Sequence, residues 1–348
     1  LFSGLKSITV VLLKYYKHTL PNINWRFEVI SRWPIDSTDL EILDLLELEG
    51  PATLSYISVK LGRSKSMVWR RLANLKDMGL VGVRRVGGVT IAYRLYERVP
   101  PGFLTVGLLR ASEYPYILGF TRLLKSRFVD VRIKVYDEAF KLALDLASNR
   151  VQLAMVPLPT LILAHRLSSG RVRIAGGGSY GGAFILEGRA GEGHSTTMAS
   201  TMEMCAEKAK LEGPRRYKSS GGEILRSVQE GESRYGVVWE PYASMGRRGG
   251  LKATSCDVEL CCLLGAHESV VDHVNHIARA LEEAITSVRR EAYDVGAYAN
   301  LLELPVDIVK ETVGSYNYYE NPPVDVIKRN WDLVKRTVVP DLSLGAII

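Results

Sequence analysis

The chain has 348 residues, of which 47% are hydrophobic and 24% charged, an ordinary globular composition with length for two or three domains. That excludes a low-complexity polypeptide, and no apolar run approaches the roughly 20 residues that cross a bilayer. The formal net charge of +7 is concentrated: from Arg63 to Arg98 nine Lys or Arg stand against two acids, Asp77 and Glu97, so this segment carries the excess of the whole chain.

Residues 1–34 read as a leader segment that packs on the next domain or on a partner subunit. Lys6 to Leu13 (KSITVVLL) is like the core of an export signal, but it is too short, Lys14 and Lys17 follow at once, and no small-residue cleavage site appears. A cytoplasmic protein is therefore expected. The four cysteines, Cys205, Cys256, Cys261 and Cys262, form no CxxC pair and read as reduced core thiols; a disulfide stays open for a hyperthermophilic source.

Residues 35–98 have the rhythm of a small DNA-reading module. Asp39 to Glu47 is an amphipathic helix, and Thr53 to Leu61 a second, short one. Ser64 can cap a third helix that runs to Leu80, with Gly79 ending it in a left-handed turn. Val68, Leu72, Leu75 and Met78 form its apolar stripe, leaving Lys65, Ser66, Trp69, Arg70, Ala73 and Asn74 outward. That face offers cations, a hydroxyl, an amide and an indole without an acid, which suits phosphate oxygens and base edges. Val81 to Val86 and Val89 to Leu95 are short strands joined by Gly87-Gly88, a tight-hairpin dipeptide, and the first carries Arg84 and Arg85. The competing explanation is a solvated basic helix on a stability domain. The DNA-binding candidates are Ser64, Lys65, Ser66, Trp69, Arg70, Arg71, Asn74, Arg84 and Arg85, with double-stranded DNA as the partner.

The stretch GRSKSMVWRRLANLKDMGLVGVRR resembles the winged helix-turn-helix regulators of the MarR and ArsR type, over about residues 37 to 98. The resemblance implies a DNA-binding head that works as a homodimer on two half-sites.

Arg98 to Gly102 (RVPPG) is a stiff linker, with 99–102 separating the domains. Strand and helix then alternate: strands at Phe103 to Leu109, Val131 to Tyr136, Leu153 to Val156 and Val172 to Ala175, with helices at Pro115 to Lys125, Asp137 to Asn149 and from Thr160, which can cap the last. This order predicts a parallel sheet wound with helices. Gly176 to Gly182 (GGGSYGG) contains GxGxxG, but the strand-like run that follows gives no helix N-terminus for a pyrophosphate, so the glycines read as a flexible crossover. A second lobe follows, with a strand at Ala183 to Leu186, helices at Ser195 to Leu211 and Gly222 to Gln229, and a strand at Tyr235 to Trp239. A strand at Val258 to Leu264, a long helix at Val270 to Arg290 and helices near Pro305 to Val313 and Pro323 to Thr337 complete the pattern, and Tyr316, Tyr318 and Tyr319 form a packing cluster.

SRYGVVWEPYAS, FLTVGLLRASEYP and LALDLASNRVQLAMVP are similar to segments of the type II periplasmic solute-binding proteins of the nitrate, taurine and sulfonate branch, with Asn149-Arg150 standing where that family often has Gly. The implied fold class is α/β: a winged head, then a two-lobed α/β domain over 103–348, with lobe I at about 103–178 and 240–348 and lobe II at about 183–238. In such a fold a solute sits between lobes at strand ends. The resemblance implies as lining residues Arg110, Ser112 and Glu113, then Pro157 and Thr160, Ser179 and Tyr180, Ser195, Thr196 and Thr197, and finally Trp239, Glu240 and Tyr242.

His273 and His276 lie three apart on one helix, but no third ligand is evident, and no metal or cofactor is expected. GxSxG and P-loop motifs are absent, so no catalytic residue is assigned. The function expected is a ligand-responsive transcription regulator, with DNA and a small polar or anionic effector as partners and no membrane. The alternatives are an enzyme on the same lobed fold, as in menaquinone synthesis, with Glu113 or Glu240 as acid or base, or a solute-binding receptor.

Overall fold

A computed structural model describes residues 34–337, so the leader expected at 1–34 lies, Pro34 apart, outside the described residues. Helix α1 (Ser37–Glu49) opens on a reciprocal cap: Asp36 accepts the Asp39 amide at 3.2 Å and Asp39 accepts the Asp36 amide at 2.9 Å. Strand β1 (Ala52–Thr53) leads into α2 (Leu54–Lys60), capped by Thr53. Helix α3 (Lys65–Asp77) is capped by Ser64, and its Val68, Leu72 and Leu75 are fully buried, as their spacing predicts. Strands β2 (Val81–Val86) and β3 (Val89–Arg94) join through Gly87 and Gly88 at φ 56° and 80°, both left-handed as a type I′ turn requires. β1 pairs with β3, so the wing is a three-stranded sheet in the order β1-β3-β2.

The body begins as the sequence pattern predicts. Strand β4 (Phe103–Leu109), α4 (Ile117–Leu124), β5 (Asp130–Tyr136), α5 (Ala139–Ala147), β6 (Leu153–Pro157), α6 (Leu158–Leu167) and β7 (Val172–Gly181) alternate in order. The chain then passes to a second sheet at Gly181 and Gly182, both at positive φ. There lie β8 (Ala183–Glu187), β9 (His194–Thr196), α7 (Thr201–Lys208), β10 (Arg215–Tyr217), α8 (Gly221–Gln229), β11 (Tyr235–Trp239), α9 (Tyr242–Arg248) and β12 (Lys252–Ser255). Residues 256–261 return to the first sheet as β13 (Cys262–His267). After it come a 3₁₀ turn, α10 (Val274–Arg289), α11 (Val295–Leu302), α12 (Val306–Thr312), β14 (Tyr316–Tyr319) and α13 (Val324–Thr337).

Several expectations change. The first sheet is mixed: its order is β14-β7-β13-β6-β4-β5, with β4 parallel to β5 and β6 but β13 antiparallel to both β6 and β7. β13 separates β6 from β7 because it arrives from the other lobe and runs the opposite way. Only the end of the glycine run, Gly181 and Gly182, makes the crossover, and the rest is extended strand: a Cβ on Gly177 would lie 2.0 Å from the Tyr319 carbonyl oxygen, and one on Gly178 1.7 Å from that of Cys262. Backbone approaches this close admit only glycine. The helix expected from Ser195 begins instead at Thr201, with Ser200 as its cap, and Ser195 and Thr196 lie in β9. Thr160 caps nothing; it lies inside α6. The chain does not re-enter lobe I after Trp239-Glu240-Pro241 but stays in the second sheet until Ser255. Finally, Cys205 and Cys256 are joined by a disulfide, leaving Cys261 and Cys262 as buried free thiols, against the expectation of four reduced cysteines. None of the described helices is long and apolar enough to cross a membrane.

Candidate functional site

The head presents one free cationic face. Lys65, Ser66, Trp69 and Arg70 follow each other at helical spacing on α3 and are exposed, Trp69 by 49%. Among the described residues no acid pairs with Lys65, Arg70, Arg84 or Arg85; Arg84 lies over the Tyr93 ring and Arg85 reaches only the Gly88 carbonyl at 3.4 Å. Ser64 Oγ accepts the Met67 amide at 3.3 Å and contacts Ser66 Oγ at 3.2 Å, so its first task is the cap. Two expected contacts are engaged elsewhere. Arg71 is half-buried and pairs with Asp36 and Asp39 at the start of α1, and Asn74 donates to the Pro34 carbonyl at 2.7 Å. Both tie α3 to α1.

The head is also fastened to lobe I. Arg150 donates to the Met78 carbonyl at 3.4 Å, at the C-terminal end of α3 where a cation is favoured. Asn149, itself at φ 62°, donates to the Glu97 carbonyl at 3.0 Å. Glu47 of α1 accepts from Arg94 at 3.3 Å, Tyr96 at 2.7 Å and Arg171 at 2.9 Å, while Ser169 donates to Asp44 at 2.8 Å. Burial pushes the Glu47 carboxyl up, but the hydrogen bonds from Arg171 and Tyr96 and the charges of Arg171 and Arg94 outweigh it, so its pKa is lowered.

Between the lobes the walls meet. Trp239 Nε1 donates to the Arg110 carbonyl at 2.9 Å, Thr160 Oγ1 to the Ala199 carbonyl at 2.6 Å, and the Ser112 amide to the Glu240 carbonyl at 3.0 Å. These crossing bonds define a closed cleft with a cavity of about 20 Å³, room for about one water. Of the expected lining residues, Glu113, Pro157, Thr197 and Trp239 are on its wall, together with Ser200, Thr201, Cys261 and Cys262, which the resemblance did not supply. The Cys-Cys pair at the return crossover was the available signal. Ser179 sits behind the wall and donates to Glu113, whose carboxyl burial raises in pKa.

The remaining candidates lie elsewhere. Arg110 pairs with Asp137 at 2.6 Å and, with Tyr242, faces a wide groove shared by the head and both lobes. Ser112 bonds Thr312 at 2.7 Å, and Tyr180 stacks on Tyr319 with ring centroids 4.8 Å apart. Ser195 is locked among Ser227 and Ser233 inside lobe II, and Thr196 is buried beside it. Glu240 accepts from the Ser244 amide and hydroxyl and from Arg247 at 2.5 Å, which leaves it no free acid or base role. His273 packs edge-on against Phe128, and His276 meets Ser126, apart from any metal cluster among the described residues.

Comparison with known proteins matches these two parts. Residues 35–81 fit the model of a winged helix-turn-helix DNA-binding family. No curated protein matches the chain in sequence. Among solved structures, the alkanesulfonate-binding protein SsuA from Xanthomonas axonopodis pv. citri, bound to MOPS, aligns with TM-score 0.58 at 15% identity, covering 72% of this chain and 99% of that one. The ligand-binding component of an ABC-type import system from Staphylococcus aureus, with zinc bound, gives 0.56 at 15% identity over 71% and 96% of the two chains. The aliphatic sulphonate-binding protein SsuA from Escherichia coli gives 0.55 at 12% over 72% and 92%. The protein thus joins a winged helix-turn-helix head to a body with the fold of periplasmic solute-binding proteins.

Proposed function

We propose that the protein is a cytoplasmic, ligand-responsive transcription regulator: residues 35–98 bind double-stranded DNA, 99–102 link, and the two-lobed domain over 103–348 senses a small polar or anionic solute. The observation that carries this reading is the fastening of the head to lobe I through Glu47, Asn149 and Arg150, while lobe II closes over a cavity on the other side of the same lobe. A solute that prefers one lobe arrangement would shift its population and so re-aim the head, by as much as its differential affinity allows. In a homodimer, which we propose from the two-half-site geometry of such heads, that movement alters the spacing of two α3 helices. Catalysis has no comparable support, because Glu240 is fully engaged and Glu113 is closed off from bulk solvent.

The test is fluorescence anisotropy with labelled genomic fragments. Lys65→Ala and Arg70→Ala should each weaken binding on all sequences and lower the salt slope by about 1. Unchanged affinity in the double variant would remove the head from DNA.

A further inference from the structure

Two free thiols and a carboxyl converge at the hinge of the lobes. Cys261 closes the return crossover, Cys262 opens β13, and Glu113 lies in the loop after β4, within reach of Cys262, so the returning chain meets the first sheet beside the carboxyl. Cys205 and Cys256 are bound to each other and take no part. The Cys261 and Cys262 sulfurs are 3.7 Å apart, Cys262 Sγ is 3.4 Å from Glu113 Oε2, and the three ligand atoms lie within 4.8 Å of one another. We infer that Cys261, Cys262 and Glu113 bind a single thiophilic metal cation, of the Zn²⁺ or Cd²⁺ class, at the base of the interlobe cavity.

The distances carry the inference. Two thiolates at about 2.3 Å from a tetrahedral zinc stand about 3.8 Å apart, and a thiolate and a carboxylate oxygen about 3.6 Å apart. The sulfur–sulfur and Cys262–Glu113 distances match these to within about 0.2 Å, and the third edge, Cys261 to Glu113, lies within 4.8 Å. Thiolate donors select soft or borderline metals over Mg²⁺ and Ca²⁺. The cavity of about 20 Å³ that the three residues line is too small for a sulfonate yet admits an ion or one water, and it leaves a fourth position open. Supporting partners are in place: Ser179 donates to the carboxyl, and Thr201 of α7 donates to the Cys261 carbonyl at 3.2 Å. Thr201 belongs to the lobe II wall, so an occupied site would brace the closed form. The occupant is a cation and not the polar or anionic solute of the sensor reading, so the site goes beyond that reading and rests on it only for the consequence on DNA.

The test titrates the full chain with Cd²⁺ in the absence of thiol reductants and follows thiolate-to-metal ultraviolet absorption together with bound metal after gel filtration. One Cd²⁺ per chain is expected, with the band lost in the Cys261→Ser/Cys262→Ser double variant and affinity lowered at least 100-fold by Glu113→Gln. Because buried substitutions can unfold the chain, a second measurement uses wild type alone: in subdenaturing urea, where local opening exposes the buried thiols, Cd²⁺ should protect Cys261 and Cys262 from alkylation, read by peptide mass. A missing band, a band that survives the double variant in folded protein, or unprotected thiols would each overturn the site. If Cd²⁺ binds as described but leaves DNA anisotropy unchanged, the metal site stands and the sensing role falls.

Discussion

Replacing Glu47 with Gln removes a carboxylate from the seam between head and body, and its cost can be bounded from the structure. Arg94 is only 6% exposed in its side chain and Glu47 17%, so this pair is far drier than a surface ion pair. Removing one partner of a fully buried pair costs about 3–5 kcal/mol, whereas exposed pairs contribute about 0–1 kcal/mol. Arg94 keeps its bonds to Tyr96 and to the Leu167 carbonyl at 2.7 Å after the change, and Arg171 keeps Glu268. A loss of about 2 kcal/mol is therefore expected, between those limits. The assay is denaturant unfolding at pH 7, reading the first transition because a multidomain chain need not melt in one step. Asp307→Asn, which breaks the exposed pair with Arg248, serves as the control and should not move the curve. The Glu47 pKa is depressed, so its contribution is present above the unfolded value of 4.5 and is lost as pH falls through the lower folded value. If Glu47→Gln behaves like Asp307→Asn at pH 7, the seam is solvated and the coupling of head to lobe I has lost its main polar support.

Three further outcomes follow from particular side chains. Arg71→Ala should lower stability by about 1–3 kcal/mol by stranding Asp39, which is buried, and should leave the salt slope of DNA binding unchanged, in contrast to Arg70→Ala. His194 and His267 are both pushed down to about 4, chiefly by burial and secondly by Arg215 and Arg171 respectively. Between pH 6.5 and about 4 the unfolded chain binds more protons there, so stability falls on acidification, by about 2 kcal/mol per histidine at pH 5; urea midpoints at pH 7 and 5 should converge in His194→Gln/His267→Gln. Gly178→Ala, with its Cβ driven 1.7 Å from the Cys262 carbonyl oxygen, should fail to accumulate as folded protein, whereas Gly119→Ala, on α4 with nothing within 4 Å, should hold or raise the melting temperature.

Much of the architecture was legible because it follows local periodicity. The α3 stripe of Val68, Leu72 and Leu75, the Ser64 cap and the Gly87-Gly88 turn are each fixed by residues within one or two turns of chain, and each is found where expected. What sequence order could not supply was strand order. A β-α-β-α-β rhythm says that β4, β5 and β6 run parallel, but the insertion of β13 between β6 and β7 depends on a chain returning about 80 residues later in sequence. The cleft was half-legible for the same reason. Glu113, Pro157 and Trp239 are at strand ends, which the alternation marks, whereas Ser200, Thr201, Cys261 and Cys262 reach the cavity through the crossover and a helix whose start was misplaced by six residues.

Asn149 and Arg150 join lobe I to the head. A residue there must accept a left-handed backbone, which glycine does freely and asparagine tolerates; Asn149 stands at φ 62°. Asparagine adds what glycine lacks, an amide that holds the Glu97 carbonyl at 3.0 Å, and Arg150 beside it reaches the end of α3 while pairing with Asp145 at 2.6 Å. Gly79 completes the fit from the other side, since a Cβ there would lie 2.5 Å from the Arg150 guanidinium. Asn149 and Arg150 thus each carry one contact from lobe I to the head, and truncating either side chain removes a bond that crosses that seam.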